Sequence, residues 1–347
     1  MDGEQMQPVL DNEVLRNPNF RRWFMLGLVA LPLLLSASGL RSYYMSEAFM
    51  YLKPATWSDI ERHIVKEDWC PAFYRPMARI IPALYLRLFG ANPIVPRAIQ
   101  LVTYAATCLL AFLILEALSQ SFRVAAAGSL IFAVMPSHVE SLFQLIQLIT
   151  LNAVFCSLLI LWLLGPGYDR RPQKAKIIIS CLAYVFGLLS YPNVLLTPVF
   201  LLFYEALWGT RLGFAAVKRR VLSRHLPLWV ITGLFLMLRV YQLSQIGDQA
   251  DWYLDAATGL TVLTLVKRMV PVFYAMICPL QLSPTLVLVA IALLYSGVRK
   301  NLRFTIFLVL YTLIAPIMSY PQTDILSRRV YLASFGVAGL IGFLLPF

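Results

Sequence analysis

Long apolar runs separated by short polar connections follow one another along almost the whole chain. The runs that predict membrane-spanning helices lie at 23–40, 94–118, 124–136, 145–164, 176–189, 194–208, 226–243, 284–298, 304–318 and 330–347. A helix needs about 20 apolar residues to cross a bilayer, so the pattern predicts an all-α, multi-pass membrane protein with about ten spans. Another run, at 260–282, holds Lys267, Arg268 and two prolines, and predicts a helix at the membrane surface.

The composition excludes several other classes of protein. Hydrophobic residues make up 60% of the 347 positions and charged residues 13%, whereas soluble domains average about 45–50% and about 25%. A surface that faces water does not need so many apolar residues, and a disordered chain has far fewer of them. Five cysteines are too few for a disulfide-dense secreted domain.

The net charge of +12 is distributed in a way that predicts a topology. With a cytoplasmic N-terminus and ten alternating spans, the basic clusters at 170–176, 218–224 and 299–303 all lie in cytoplasmic loops. Cytoplasmic loops of membrane proteins are rich in lysine and arginine, which favours this orientation. No basic block carries interleaved aromatic residues, so no nucleic-acid partner is expected.

This topology divides the chain into a cytoplasmic N-terminal segment, 1–22, and a single transmembrane domain, 23–347. The external side carries a large first loop, 41–93, and a second segment, 244–282, which includes the surface helix. Within the first loop, residues 56–67 have apolar positions at helical spacing, which predicts an interfacial helix.

Several short motifs lie at or near the predicted outer ends of the spans. In chain order they read Ser-Glu at 46–47, Tyr-Arg-Pro-Met at 74–77, Gly-Ala-Asn-Pro at 90–93, Met-Pro-Ser-His-Val-Glu at 135–140, Ser-Tyr-Pro at 190–192 and Ser-Arg-Arg-Val-Tyr-Leu-Ala-Ser-Phe-Gly at 327–336. Their order resembles the GT-C membrane glycosyltransferases, above all the polyprenyl- or dolichyl-phosphate-sugar mannosyltransferases that carry tetratricopeptide repeats in animals. The resemblance implies a GT-C-like fold that moves a sugar from a polyprenyl-phosphate donor to an acceptor hydroxyl on the external face.

Several polar positions differ from the motifs of those transferases. The acidic pair reads Ser46–Glu47, the first histidine of the third motif is Met135, the Lys-Glu of the fifth-span motif reads Tyr191–Pro192, and the opening glutamate of the last motif is Ser327. Two hypotheses therefore stay open: an active glycosyltransferase, and a catalytically inactive GT-C-like structural subunit of a larger membrane complex. A transporter is a third, weaker hypothesis, because the charges cluster at the ends of the spans rather than at their centres.

Sugar transfer needs a base for the acceptor hydroxyl and cations for the departing lipid phosphate. Glu47 matches the acidic pair and is the candidate base, with a solvated loop carboxylate as the alternative. Arg75, Arg328 and Arg329 are candidate phosphate-binding residues, and contact with lipid head groups is the alternative for Arg75. Arg239, near the outer end of the seventh span, is a further substrate-binding candidate, because an arginine there is costly unless it is paired or reaches water.

The third motif supplies two more candidates. His138 and Glu140 follow Pro136, which ends a helix near water, and either could orient or bind the substrate. Interfacial packing is the alternative for both. At the predicted cytoplasmic ends, Glu116 and Glu205 are expected to be structural partners of nearby basic residues.

No metal site is predicted. Divalent hard cations favour several oxygen ligands, and Glu47 lacks its acidic partner, so activity is expected to depend less on a metal than in the resembled transferases. No cofactor is expected, with a divalent cation as the open alternative. The expected partners are a polyprenyl-phosphate-linked sugar, membrane lipids and, for an inactive subunit, other membrane proteins. A bacterial cytoplasmic membrane is favoured over the ER membrane because the chain is compact and lacks repeats.

Overall fold

The computed structural model describes residues 18–37, 56, 58, 75–90, 92–135, 138, 142, 147–167, 173–208, 218, 220–244, 301–314 and 331–344. The α-helices with both ends given are α1 (Pro18–Leu35), α2 (Met77–Phe89), α3 (Ile94–Ser119), α4 (Phe122–Val134), α5 (Leu148–Leu164), α6 (Gln173–Ser190), α7 (Thr197–Trp208), α8 (Leu226–Ser244), α9 (Leu302–Ile314) and α10 (Tyr331–Leu344). A 3₁₀ helix, Pro192–Leu196, leads into α7, and a π-helical turn, Val221–His225, leads into α8. These ranges contain no strand, which confirms the all-α prediction.

The helix boundaries follow the apolar pattern, and local contacts fix several of them. α3 begins at Ile94 as predicted, and Asn92 Oδ1 accepts the Ile94 N–H at 3.0 Å. It ends at Ser119. The next residue, Gln120, turns the chain with its φ of 58°, and Ser121 then caps α4. α1 starts at Pro18, ahead of the apolar run, because proline suits the first turn of a helix.

Several predicted elements lie outside the described residues. They are the surface helix predicted at 260–282, the span predicted at 284–298, and all of 56–67 apart from Thr56 and Ser58. The predicted first external loop does hold α2, which packs against α6. α2 ends at Phe89 and is followed by Gly90, whose φ of 63° suits a residue without a Cβ atom.

The helices packed side by side give the bundle two ends. Arg21 in the first turn of α1 pairs with Glu116 in the last turn of α3, with Nη2 2.6 Å from Oε2. The start of α9 meets the end of α10, where the rings of Phe304 and Phe343 lie 5.1 Å apart. We call this the Glu116 end. We call the opposite end, where His138 lies in the connection from α4 to α5, the His138 end.

Glycines allow α4 and α10 to pack backbone against backbone. A Cβ atom on Gly342 would lie against the Gly128 amide nitrogen and 2.7 Å from Gly128 Cα. It would also lie 3.1 Å from the carbonyl oxygen of Val124. None of these atoms belongs to a flexible side chain, so a larger residue fits at 342 only if the two helices separate.

A chain of aromatic rings runs through the core and joins four helices. Phe132 of α4 contacts Phe335 of α10, with centroids 6.5 Å apart. Phe335 contacts Tyr311 of α9 at 5.1 Å, and Tyr311 stacks on Phe200 of α7 at 4.0 Å. All four side chains are buried, so these rings hold α4, α7, α9 and α10 in one packed unit.

Two described helical stretches are long and apolar enough to cross a membrane. They are Ile94–Ser119, which is α3, and Val221–Tyr241, which combines the π-helical turn with most of α8. Five other apolar helices in the described ranges are shorter, at 10–17 residues.

Candidate functional site

Three of the predicted site residues belong to the described part of the chain, namely Arg75, His138 and Arg239. The other four lie outside it, and their roles stay predictions: Glu47, Glu140, Arg328 and Arg329.

The guanidinium carbon of Arg75 lies over the ring of Tyr191. This atom, Cζ, lies 4.2 Å from the ring centroid, within the distance at which a cation is attracted to an aromatic face. Tyr191 is buried and Arg75 is half-buried. The contact joins two motifs that are far apart in the sequence, the one at 74–77 and the one at 190–192. Tyr191, which the sequence had marked only as a departure from a motif, is therefore in contact with a predicted site residue.

Both partners of this contact lie at helix boundaries that fix their backbones. Pro76 disfavours a helical conformation for Arg75, whose carbonyl accepts the Ala78 N–H at 2.9 Å as α2 begins. Tyr191 is extended, with φ −155° and ψ 129°, between α6 and the 3₁₀ helix. Its N–H donates to the Gly187 carbonyl at 2.8 Å.

His138 is enclosed between α3 and α10. The Tyr104 hydroxyl lies 2.7 Å from Nδ1, and Ser334 Oγ lies 2.6 Å from Nε2. None of the three residues is more than 1% exposed. His138 belongs to the third motif and Ser334 to the last, so a second pair of distant motifs is in contact.

The surroundings of His138 favour a neutral ring with its proton on Nδ1. The Tyr104 hydroxyl lies 3.0 Å from the Ala133 carbonyl, which needs a donor at the end of α4. If Tyr104 donates there, its oxygen accepts from Nδ1–H, and Nε2 accepts the Ser334 hydroxyl proton. Burial lowers the pKa of His138 to about 3, against the opposite effect of the Phe132 carbonyl. This geometry favours the packing alternative for His138.

Arg97 is a buried charge at the His138 end that the motif search missed. It is 3% exposed, and its Nη1 donates to the Leu142 carbonyl at 3.2 Å. Gln100 Oε1 lies 3.5 Å from the same nitrogen. Like Arg328, Arg97 lies on the side where basic residues are expected to be scarce, and its position in the sequence could have marked it on the same ground.

Arg239 lies in the last part of α8 and is half-buried. Its neighbours Met237, Leu238 and Val240 are exposed apolar residues. A long charged side chain in such a place can cover apolar surface with its stem and keep its head in water. Its predicted role in substrate binding stays a prediction.

The two carboxylates expected to have structural partners do have them. Glu116 pairs with Arg21, which ties α3 to α1. Glu205 is buried, and its Oε1 lies 4.0 Å from Arg224 Nη1 and 3.9 Å from His225 Nε2. This second cluster ties the end of α7 to the π-helical turn before α8.

In the described part of the chain, no three or more His, Cys, Asp or Glu residues are grouped so that they could hold a metal ion. The predicted base, Glu47, and its neighbours lie outside that part, so the expectation of weak metal dependence stays a prediction.

No protein-family model matches this chain, and no curated protein or solved structure matches it either.

Proposed function

We propose that this chain is an integral membrane glycosyltransferase of the GT-C type, which moves a sugar from a polyprenyl-phosphate donor to an acceptor hydroxyl on the external face. In this proposal about ten spans alternate from a cytoplasmic N-terminus. The Glu116 end faces the cytoplasm and the His138 end faces outward. The proposed location is a bacterial cytoplasmic membrane.

The exposed apolar surface of the described helices supports a place in a membrane. Helices α1, α6 and α8 each present large apolar side chains at helical spacing, which water-soluble monomers rarely do. These side chains include Trp23, Leu26, Leu34, Ile178, Leu182, Val185, Val230, Leu234 and Met237. The exposed fraction reaches 75% at Leu34 and 66% at Leu182. Lipid chains would cover such a surface without the penalty that water imposes.

The proposed reaction forms a bond between the acceptor oxygen and the anomeric carbon of the donor sugar. The bond from that carbon to the phosphate oxygen breaks, and Glu47 takes the proton of the acceptor hydroxyl. Arg75, Arg328 and Arg329 hold the departing polyprenyl phosphate, because a planar guanidinium matches two phosphate oxygens. The transition state is expected to resemble an oxocarbenium ion, as in glycoside hydrolysis.

The observation that carries this proposal is the contact between Arg75 and Tyr191. It brings two of the motifs together, and the contact of His138 with Ser334 brings together two others. Motifs that form one external site are expected to meet in this way, although their sequence positions are far apart.

A transfer assay on the purified full chain tests the proposed activity. With a radiolabelled polyprenyl-phosphate mannose as donor and a simple alcohol as acceptor, we expect a labelled mannoside to form and polyprenyl phosphate to be released. Glu47→Gln is expected to lower kcat by about 100-fold or more, because it removes the base. Glu116→Gln is the matched control, since Glu116 pairs with Arg21 at the opposite end of the bundle.

Three outcomes would contradict parts of the proposal. Unchanged turnover in Glu47→Gln would remove Glu47 as the base. Turnover that disappears with EDTA and returns with Mn²⁺ would contradict weak metal dependence. No turnover with donors that carry different sugars and lipid lengths would contradict the enzyme itself.

The enclosure of His138 favours a second candidate function, an inactive GT-C-like subunit of a larger membrane complex. Tyr104 and Ser334 occupy both ring nitrogens, so this motif histidine serves the packing of the bundle. Copurification with other membrane proteins in fixed stoichiometry, without turnover, would support this function. A purified monomer that transfers sugar would exclude it.

A further inference from the structure

We infer that Tyr191 is a positioning residue for Arg75, whose guanidinium it holds flat so that the N–H edge can bind a phosphate group. The inference rests on the proposed function, because it names how that site binds the phosphate of its donor lipid. It adds a residue that the motif comparison alone did not assign to the site.

A guanidinium group offers two separate binding surfaces. Its face attracts an aromatic ring, and here Cζ lies 4.2 Å from the Tyr191 centroid. Its five N–H donors point outward in the plane of the group and match the oxygens of a phosphate. A ring on the face therefore does not compete with hydrogen bonds made at the edge.

Tyr191 is fixed firmly enough to serve as a platform. Its ring is buried, with 5% of the residue exposed, and its N–H is bound to the Gly187 carbonyl. Pro192 follows it and restricts its backbone to an extended conformation. A Cβ atom on Gly187 would lie 3.1 Å from both Cγ atoms of Val194, so α6 and the 3₁₀ helix pack closely around this turn.

Arg75 and Arg97 differ in how deeply they are buried. Arg97 is 3% exposed and donates to the Leu142 carbonyl inside the protein. Arg75 is only half-buried as a residue, although its Nε atom is buried. The ring of Tyr191 removes much of the freedom of this long side chain, and that lowers the entropy lost when an anion binds.

Binding of a phosphate group to the purified full chain in phosphatidylcholine nanodiscs tests this role. One arm uses polyprenyl monophosphate and the other uses inorganic phosphate, which separates a lipid-borne from a free phosphate. Tyr191→Leu is expected to raise the dissociation constant of polyprenyl monophosphate about tenfold, because it removes the aromatic face. Tyr191→Phe keeps the face and is expected to stay within about twofold of the wild type.

Two further measurements separate positioning from a merely structural effect. In an Arg75→Ala background, Tyr191→Leu is expected to change the dissociation constant no further, because the two residues act through one contact. In the transfer assay, Tyr191→Leu is expected to raise the KM for the donor about tenfold and to leave kcat within about twofold. A folding defect would instead lower the fraction of active protein and therefore kcat. In that case Tyr191→Leu and Tyr191→Phe would have the same KM for the donor.

The other possible results of these measurements either overturn the inference or support it. It is overturned if Tyr191→Leu binds polyprenyl monophosphate as tightly as the wild type, if Tyr191→Phe is as weak as Tyr191→Leu, or if the wild type binds phosphate in neither arm. A wild type that binds polyprenyl monophosphate through Arg75 and Tyr191 but transfers no sugar supports the inference and overturns the proposed activity alone.

Discussion

The imidazole of His138 and the hydroxyl of Ser334 form a hydrogen bond of 2.6 Å between residues 196 positions apart. It links the connection after α4 to the first turn of α10. Both groups are buried, so neither can turn to water when the other is removed. A buried polar atom that loses its partner costs about 1–3 kcal/mol.

Removing the Ser334 hydroxyl is therefore expected to destabilise the protein. Ser334→Ala leaves Nε2 of His138 buried without this partner, and we expect a loss of about 1–3 kcal/mol. Ser129→Ala is the matched control, because the Ser129 hydroxyl is also buried but donates only to the Ala126 carbonyl in its own helix. Thermal unfolding in detergent measures the stability of both variants. Equal melting temperatures for Ser334→Ala and Ser129→Ala would show that the link between His138 and Ser334 contributes nothing.

Acid is expected to lower the stability of the folded protein because His138 is buried in its neutral form. Burial holds its folded pKa at about 3, below the ordinary value of 6.5, so the unfolded chain binds a proton that the folded chain does not. The stability is complete above pH 6.5 and falls as the pH drops towards 3, by about 2 kcal/mol at pH 5. His138→Asn removes this titration, so its melting temperature should fall less between pH 7.5 and pH 5 than that of the wild type. Parallel pH curves for the two proteins would contradict the prediction.

The helices of the long apolar runs were predictable because their burial pattern is local, whereas α2, inside the predicted external loop, was not predicted. The apolar run at 94–118 became α3, Ile94–Ser119, and the run at 226–243 became α8, Leu226–Ser244. The start of α1 was not predictable from apolarity, because its first turn is polar and Arg21 there is held by Glu116 of another helix. Hydrophobic periodicity reports which residues face the core, and it carries no information on polar pairs between helices.

Alanine substitutions at two glycines, one in the contact between α4 and α10 and one outside it, are expected to have opposite effects on stability. Gly342→Ala places a Cβ atom against the backbone of Gly128, so the helices must separate, at a cost of about 1–3 kcal/mol. Gly233→Ala in α8 meets nothing within 4 Å. It should leave the protein as stable or raise its stability by up to about 1 kcal/mol, since alanine favours helix. Thermal unfolding of both variants measures these effects, and a shift of the same sign and size would refute this close packing.

The site was predictable only as a set of motifs. Arg75 and His138 could be chosen from residue type and position, but their partners Tyr191 and Ser334 could not. These partners come from distant parts of the chain, and only the packing of helices decides which of them meet. A tyrosine after a helix and a serine in an apolar helix are common, and nothing in the local sequence marks them as partners of a cation or an imidazole.

The two ends of α3 provide a direct test of the proposed topology. Asn92 before α3 and Gln120 after it are both exposed, and α3 is long and apolar enough to span a membrane. In intact cells, a membrane-impermeant maleimide is expected to label Asn92→Cys and to leave Gln120→Cys unlabelled until the membrane is opened. The five native cysteines are replaced first, and that chain without added cysteine is the control for background labelling. Labelling of both positions in intact cells would mean that α3 does not cross the membrane, and labelling of Gln120→Cys alone would reverse the orientation of the bundle. The second result would also move Arg75 and Tyr191 to the cytoplasmic face, where an external transferase could not use them.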